Sequence, residues 1–408
     1  MASRLWLGAA LLVCGTAAPA GAQTMTAAGF LDGLGTFYPQ TAPNDTTRAI
    51  GTGLFRLDPT IKWTNWRIDA SVEARWDTHD MTAATAAYWD RTIQRPALTV
   101  RRLSAAWTRG AITLDLGKQF IRWGKTDIVV PTERFAPRDY LEVVNTELLG
   151  VTAARLALTN DKNAFELVFT PRMTPSRTPL FDQRWVVAPG ETQGLPLVDG
   201  GAEYPGGPQI GARWNRLARR LEYSLSFFKG FSHLPEFEVG VLPDPALEIR
   251  RTYAKLTSVG GDVAVPLPWF TLKAESAWLT SPSPATEEFI LYVIQVERQA
   301  GEWLFIGGYA GDIVTAEGTA VRFSPDRGMT RAFVGRASYT IDTNRSVLFE
   351  TVARQNGDGF LGRVEYSQAL GAHGRVTGGF RLIRGDPEDF LGQYRRNSSG
   401  YFSWRYSF

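Results

Sequence analysis

The sequence predicts an all-β protein whose strands close into one transmembrane antiparallel β-barrel of about eighteen strands, with sixteen strands as the alternative. Three observations support this fold: apolar runs too short for membrane-spanning helices, alternation of apolar and polar residues at the strand period, and connections that alternate between short and long. A chain that crosses lipid without helices must close into a barrel, because only closure leaves no backbone polar group unpaired.

The apolar runs after the N-terminal segment are short. The longest mostly apolar run covers residues 289–296, whereas a transmembrane helix needs about 20 such residues. A strand crosses a membrane in about 9–11 residues. The sequence therefore favours strands as the membrane-spanning elements.

The first 22 residues have the pattern of a signal peptide. Arg4 provides the positive start, Leu5 to Val13 form a short apolar core, and Ala20-Gly21-Ala22 is a small-residue cleavage pattern. Cleavage after Ala22 would leave residues 23–408 as a single barrel domain. Because Cys14 is the only cysteine, the exported chain is expected to contain no disulfide.

Alternation is clearest between Trp66 and Trp76. Residues of one parity are all apolar, and residues of the other parity are polar or charged, including Arg67, Asp69 and Glu73. Since successive side chains of a strand point to opposite faces, this segment has one lipid-facing side with tryptophans at both ends and one lumen-facing side.

The connections give the strand count. Short turns such as Asp58-Pro59-Thr60 alternate with long connections such as 231–247, which leaves seventeen strands from residue 49 onward. A barrel of this kind has an even number of strands. Residues 26–38 are therefore expected to form an additional first strand, paired with residues 398–408.

The last strand carries aromatic residues at alternate positions: Phe402, Trp404, Tyr406 and Phe408. This run resembles the terminal strand of bacterial outer-membrane proteins, which the barrel-insertion machinery reads as an assembly signal. Residues 117–124, Gly-Lys-Gln-Phe-Ile-Arg-Trp-Gly, are similar to a segment of the eighteen-stranded alginate-export porins. These resemblances imply an outer-membrane location, with membrane lipid and the insertion machinery as partners.

The connection 122–147 is the main candidate for a pore constriction. It is rich in charge and also contains the apolar run Ile128-Val129-Val130-Pro131, which a solvated loop does not need. Residues 138–148 are expected to form a short helix. The loop either folds into the lumen or packs on the surface; the constriction candidates are Arg122, Lys125, Asp127, Glu133, Arg134, Arg138, Asp139 and Glu142.

The polar parity of the strands predicts the pore lining. Its later part carries six arginines against two glutamates, which would favour anions in a narrow pore; alternatively, these charges pair and cancel. The predicted lining residues are Arg67, Asp69, Glu73, Arg75, Arg102, Asp115, Gln119, Arg336, Glu350, Arg354, Arg363, Glu365, Arg375, Arg381 and Arg405.

Composition argues against several other functions. The net charge of +3 is too balanced for a nucleic-acid-binding protein. The three histidines, His79, His233 and His373, are isolated from one another, and no metal-ligand, cofactor-binding or catalytic motif is evident. The expected function is a passive channel for small hydrophilic solutes, anions among them, rather than an enzyme. A structural or adhesive barrel and an outer-membrane hydrolase are the alternatives; the solute and the oligomeric state stay open.

Overall fold

The computed structural model describes residues 23–186, 195–243, 246–355 and 359–408. The predicted signal peptide, residues 1–22, lies outside the described residues. Within them, no helix is both long and apolar enough to cross a membrane. The two helices present are a single α-helical turn, Pro325–Gly328, and a 3-10 helix, Gly392–Asn397.

Eighteen antiparallel strands form one closed sheet, which confirms the predicted barrel and excludes the sixteen-stranded alternative. In chain order they are β1 Thr24–Phe37, β2 Ala49–Lys62, β3 Trp66–Asp77, β4 Arg95–Arg109, β5 Ile112–Gln119, β6 Val151–Thr159, β7 Asn163–Thr170, β8 Gln209–Ala218, β9 Leu221–Phe231, β10 Lys255–Pro266, β11 Thr271–Thr280, β12 Glu288–Ala300, β13 Trp303–Ala316, β14 Ala332–Thr340, β15 Arg345–Arg354, β16 Phe360–Leu370, β17 Gly374–Arg384 and β18 Ser399–Ser407.

The sheet closes where the first strand meets the last. Strand β1 pairs with β18 from Phe30 opposite Ser407 to Phe37 opposite Gly400. This is the predicted pairing of residues 26–38 with residues 398–408. All short turns lie at one end of the barrel, here called the short-turn end, and all long connections lie at the other, the long-loop end.

The two faces of the sheet differ as the alternation predicts. On β3, Trp66 and Trp76 are 50% and 55% exposed on the outer face, whereas Asp69 and Glu73 are buried on the inner face. The outer face is apolar around the barrel, whereas the inner face is mostly polar. Inward apolar residues such as Val293 and Val334 are buried under the loops.

One predicted turn is wrong. Asp58, Pro59 and Thr60 lie inside β2, and the chain turns instead at residues 63–65. Pro59 lies opposite Ala27 of β1, and the pairing of β2 with β3 is interrupted beside it. A proline removes one ladder donor, so a strand tolerates it where only one of its two ladders needs that donor.

The long connections carry further strands. Leu197–Ala202, Leu247–Thr252, Glu236–Val241 and Val321–Arg322 form a separate four-stranded sheet, and Thr82–Ala87 runs parallel to the start of β4. The strand that the sequence predicts after the connection 231–247, over residues 248–261, is therefore misplaced. Its first residues pair with Glu236–Val241 in this loop sheet, and the barrel strand begins only at Lys255.

The C-terminal residue, Phe408, stabilises the junction between β1 and β18. The backbone N–H of Gly29 donates to Phe408 O at 2.9 Å, and that of Phe408 donates to Gly29 O at 3.0 Å. The Phe408 ring lies directly over Gly29, where an added Cβ would come within 2.6 Å of the ring, and it stacks on Phe55 with centroids 6.2 Å apart.

We expect Phe408→Ala and Gly29→Val each to slow assembly severalfold, because either change removes the ring from its seat at the seam between β1 and β18. Heat-modifiable migration on gels would measure the folded fraction over time. Phe333→Ala is the control, because Phe333 is 61% exposed on the outer face of β14, four strands away from β18. Equal assembly rates for all three variants would contradict a role of the Phe408 packing site in closing the barrel.

Candidate pore constriction

The connection between β5 and β6 contains the candidate loop 122–147, and its first part packs across the lumen. The indole of Trp123 donates to Glu166 of β7. The Trp123 and Phe135 rings meet edge to face at 5.3 Å, and Phe135 meets Phe228 of β9 at 5.0 Å. All three rings are at most 3% exposed. This cluster fixes the loop against strands that follow it in the chain.

A single carboxylate of the barrel wall holds the next part of the loop. Glu275 of β11 is 3% exposed and accepts five hydrogen bonds. Three come from the backbone N–H groups of Lys125, Thr126 and Thr132, and two from the hydroxyls of Thr126 and Thr132. Gly124, at φ +96°, makes this wrap possible, because a Cβ there would lie 2.6 Å from Glu275 Oε1.

Charged contacts surround this carboxylate. Lys125 Nζ lies 2.6 Å from Glu222 of β9, and Asp127 pairs with Lys273 of β11 at 3.2 Å. Gln295 of β12 exchanges hydrogen bonds with the backbone and side chain of Asp127. The first half of the loop is therefore attached to β9, β11 and β12.

The apolar run of the loop has a partner inside the barrel. Val129 is buried against Val293 of β12 and Ala310 of β13. Val143 is buried with Ala332 and Val334 of β14, on a further part of the wall. These contacts account for apolar residues in a loop that is otherwise charged.

The predicted helix over residues 138–148 is wrong. Arg138–Asp139 pairs with Glu147–Leu148 as a short antiparallel ladder, and the residues between them form turns. The backbone N–H of Tyr140 donates to Arg177 O, and that of Arg177 donates to Arg138 O. Pairing with the neighbouring loop thus takes the backbone groups that a helix would use.

A buried ion-pair network holds this half of the loop. Asp139 accepts from Arg95 at 2.9 Å and from Arg177 at 3.1 Å. Arg177 also pairs with Asp90, which pairs with Lys118 of β5 at 2.6 Å. Burial opposes ionisation of Asp139, but Arg95 and Arg177 outweigh it and lower the pKa of that carboxyl below its ordinary value.

Replacing Asp139 should loosen the loop at any pH at which the barrel is used. A carboxyl with a lowered pKa contributes its full stability above the unfolded value of 3.8, and that stability is lost only as pH falls through the folded pKa. We therefore expect Asp139→Asn to lower the free energy of unfolding by about 3–5 kcal/mol, equally at pH 5 and pH 8. Thermal melts at both values measure this; an unchanged melting temperature would contradict it.

Two cavities lie on either side of the loop. The outer cavity, of about 340 Å³, opens among long-loop residues such as His233 and Met329. The inner cavity, of about 410 Å³, is lined by wall residues such as Asp32, Arg375 and Arg405. Asn145 of the loop and the two wall arginines Arg363 and Arg381 border both cavities. The two cavities therefore adjoin beside Asn145 and these guanidinium groups, and this junction is the candidate passage.

The predicted loop residues divide into two groups. Asp127, Glu133, Arg134 and Arg138 border the outer cavity, and Glu142 borders the inner one. Arg122, Lys125 and Asp139 border neither cavity. Arg122 pairs with Glu133, while Lys125 and Asp139 act as attachments to the wall.

Most of the predicted late arginines pair with acids. Arg336 pairs with Glu350 at 2.8 Å, and Arg363 pairs with Glu365 at 2.5 Å. Arg354 pairs with Asp389 of a long loop, and Arg405 with Asp32 of β1. Within the described residues, Arg375 and Arg381 have no carboxylate within 4 Å. Arg375 donates to the Ser367 hydroxyl, and Arg381 lies over the Tyr401 ring at 5.8 Å.

The predicted early lining is largely self-paired. Asp69 pairs with Arg67 and Arg102, and Glu73 pairs with Arg75. Asp115 and Gln119 are buried, and Gln119 donates to Ala153 O. Of this early group, Arg75 borders the inner cavity.

Several site residues were not predicted. Glu275 and Gln295 lie at inward-facing positions of their strands, and this alternation could have identified them. Their loop partners Lys125 and Asp127, however, are 150 and 168 residues away in the chain. Arg101 was missed because β4 has a bulge opposite Ser71 and Val72, so that both Arg101 and Arg102 reach inner carboxylates.

The histidines lie apart from these cavities, except His233. His79 contacts Asp45 at 2.8 Å among the long loops, and His373 contacts Ser407 O at the short-turn end. Burial, with Arg134 and Arg138 nearby, lowers the pKa of His233 to about 3. Among the described residues there is no group of three or more His, Cys, Asp or Glu side chains that could hold a metal ion.

An eighteen-stranded closed antiparallel barrel is the fold of a porin-like protein. Solved structures share this fold. No family model and no curated protein matches the sequence.

Three crystal structures illustrate the likeness. A BenF-like porin from Pseudomonas fluorescens Pf-5 superposes with a TM-score of 0.56 at 9% identity, covering 94% of this chain and 98% of that chain. OpdK of Pseudomonas aeruginosa with vanillate has a TM-score of 0.54 at 9% identity, covering 94% and 98%. OccK2 (OpdF) of Pseudomonas aeruginosa in complex with glucuronate has a TM-score of 0.54 at 8% identity, covering 95% and 96%. At these identities the likeness concerns the fold.

Proposed function

We propose that this chain is an outer-membrane channel through which small hydrophilic, anionic solutes diffuse passively, with loop 122–147 as its constriction. The observation that carries the proposal is the pair of cavities separated by the loop and bordered jointly by Asn145, Arg363 and Arg381. A solute passing from one cavity to the other would move beside two guanidinium groups.

Barrel width supports a channel. Small barrels of about eight strands fill their interior with side chains, whereas barrels of about 16–18 strands leave an aqueous lumen unless something closes it. Here the loop occupies part of that lumen, and the two cavities of about 340 and 410 Å³ flank it. Cavities of this size suit small solutes.

The charge at the passage supports anions. Arg381 has no carboxylate within 4 Å among the described residues, and the positive charge of Arg363 is shared with Glu365. Fixed positive charge in a narrow pore lowers the entry barrier for anions and raises it for cations. Vanillate and glucuronate, bound in two of the structurally similar porins, both carry a carboxylate, which agrees with this class of solute.

Planar-bilayer recording of the refolded chain 23–408 tests the proposal. We expect discrete conductance steps, a reversal potential in a potassium chloride gradient on the anion side, and partial block of the current by millimolar glucuronate. Screening should weaken the selectivity as salt rises, because the Debye length falls from about 10 Å at 0.1 M to about 3 Å at 1 M. A barrel that inserts without conducting would instead favour a structural or adhesive role.

A further inference from the structure

A groove on the outer face of the barrel is distinct from the lumen. It has a volume of about 370 Å³ and runs over strands β7 to β10. Its lining on the outward face is apolar: Phe165, Leu167, Ala212, Trp214, Leu225, Phe227 and Val259.

Strand register explains why the surface is hollow here. Leu167, Ala212, Phe227 and Val259 form one row across the four strands. Leu167 and Val259 are 54% and 53% exposed, so they stand out from the sheet, whereas the small Ala212 forms the floor between its larger neighbours. An elongated apolar depression of this kind fits a hydrocarbon chain.

Positive charge lies next to the groove at the long-loop end. Lys229 of β9 occupies the next row of outward positions, opposite Ile210 of β8 and Thr257 of β10. Lys255 lies one row further on, opposite Phe231. Since each row of outward residues is about 7 Å from the next along a strand, Lys229 lies about 7 Å and Lys255 about 14 Å beyond the row of Ala212, where the headgroup of a lipid in the groove would lie.

These two charges are not neutralised by the protein. Both lysines are exposed, and within the described residues no carboxylate lies within 4 Å of either ammonium group. By contrast, Lys118, Lys125 and Lys273 all pair with acids. An ammonium group is a compact donor suited to phosphate.

We propose that this groove binds a phosphorylated lipid of the leaflet at the long-loop end, with an acyl chain over Ala212 and a phosphate between Lys229 and Lys255. The two lysines next to an apolar groove match one amphiphile, whose charged headgroup would contact the lysines while its acyl chain lies in the groove. The proposal requires only that the barrel spans a membrane and is independent of transport through the lumen.

Native mass spectrometry of the full barrel with phosphatidic acid tests the site, with phosphatidylcholine of the same chains as the neutral-head comparison. We expect phosphatidic acid to be retained at least tenfold better. Lys229→Gln together with Lys255→Gln should abolish that preference, since each basic group near a membrane surface strengthens anionic lipid binding measurably. The matched control is Lys62→Gln with Lys162→Gln, two exposed lysines at the short-turn end.

The apolar part is tested separately. Ala212→Leu should fill the floor of the groove and lower retention of phosphatidic acid on the order of tenfold, whereas Ala70→Leu on the outer face of β3 should not. Inorganic phosphate at the same excess should not displace the lipid. Equal retention of both lipids, wild-type retention by the Lys229/Lys255 variant, or full displacement by phosphate would each overturn the proposal.

Discussion

Glu275→Ala is expected to raise the single-channel conductance severalfold. The carboxylate of Glu275 is the common acceptor for three backbone N–H groups and two hydroxyls of the loop. Its removal leaves buried donors without a partner, at a cost of about 1–3 kcal/mol for each. The docked position of the loop would then lose several kcal/mol relative to an undocked one, and the passage would widen.

A second experiment separates release of the loop from damage to the wall. Deleting residues 126–146 should also raise conductance, and Glu275→Ala should add nothing further in that background, because its partners are gone. Glu297→Gln is the control: Glu297 lies on the neighbouring strand β12 and pairs with Lys273, but that lysine keeps Asp127 as a partner. If Glu275→Ala and the deletion both leave conductance unchanged, the loop does not form the constriction.

Arg381→Gln is expected to produce the largest loss of anion selectivity among the wall arginines. Arg381 borders both cavities and, in the described part of the chain, has no carboxylate within 4 Å. Arg363→Gln should have a smaller effect, because Glu365 and Glu350 already offset its charge. A guanidinium group stays charged at ordinary pH. The anion selectivity of the wild-type channel should therefore not change when the pH is varied around neutrality.

Reversal potentials in a salt gradient, measured at 0.1 M and 1 M on the dilute side, would check this order. Arg216→Gln is the matched control, because Arg216 is exposed at the short-turn end of the outer face and the variant changes the net charge equally. Arg354 is not a useful probe, since its guanidinium is held by Asp389 and by the Gly328 carbonyl. Equal shifts for Arg381→Gln and Arg216→Gln would exclude a local effect.

Alternation predicted the strands because the barrel wall separates two different environments. A residue such as Trp66 faces lipid and its neighbour Arg67 faces water. Apolar and polar residues therefore alternate along the strand with a period of two. Closure by β1 and β18 followed from parity alone. The prediction of a turn at Asp58-Pro59-Thr60 was wrong. Proline has no backbone N–H to donate, which is typical of turns, but a strand can also accommodate it.

The site was less predictable because it depends on partners distant in sequence. The apolar run 128–131 indicated that the loop packs on something, but not that Val293 and Ala310 receive it. The predicted helix over 138–148 failed because backbone groups of Arg138 and Tyr140 form hydrogen bonds with Arg177, which belongs to another connection. The bulge that brings Arg101 to the inner face cannot be recognised from the pattern of apolar and polar residues.

The attachments of the loop also have a mechanical consequence. A wide tube with a thin wall deforms most easily by flattening into an ellipse. Here Asp139 pairs with Arg95 of β4, Lys125 pairs with Glu222 of β9, and Val143 packs against Val334 of β14, so the loop contacts the wall at well-separated points around the circumference. These attachments therefore resist flattening of the barrel cross-section, and we expect a barrel without the loop to fluctuate more in diameter.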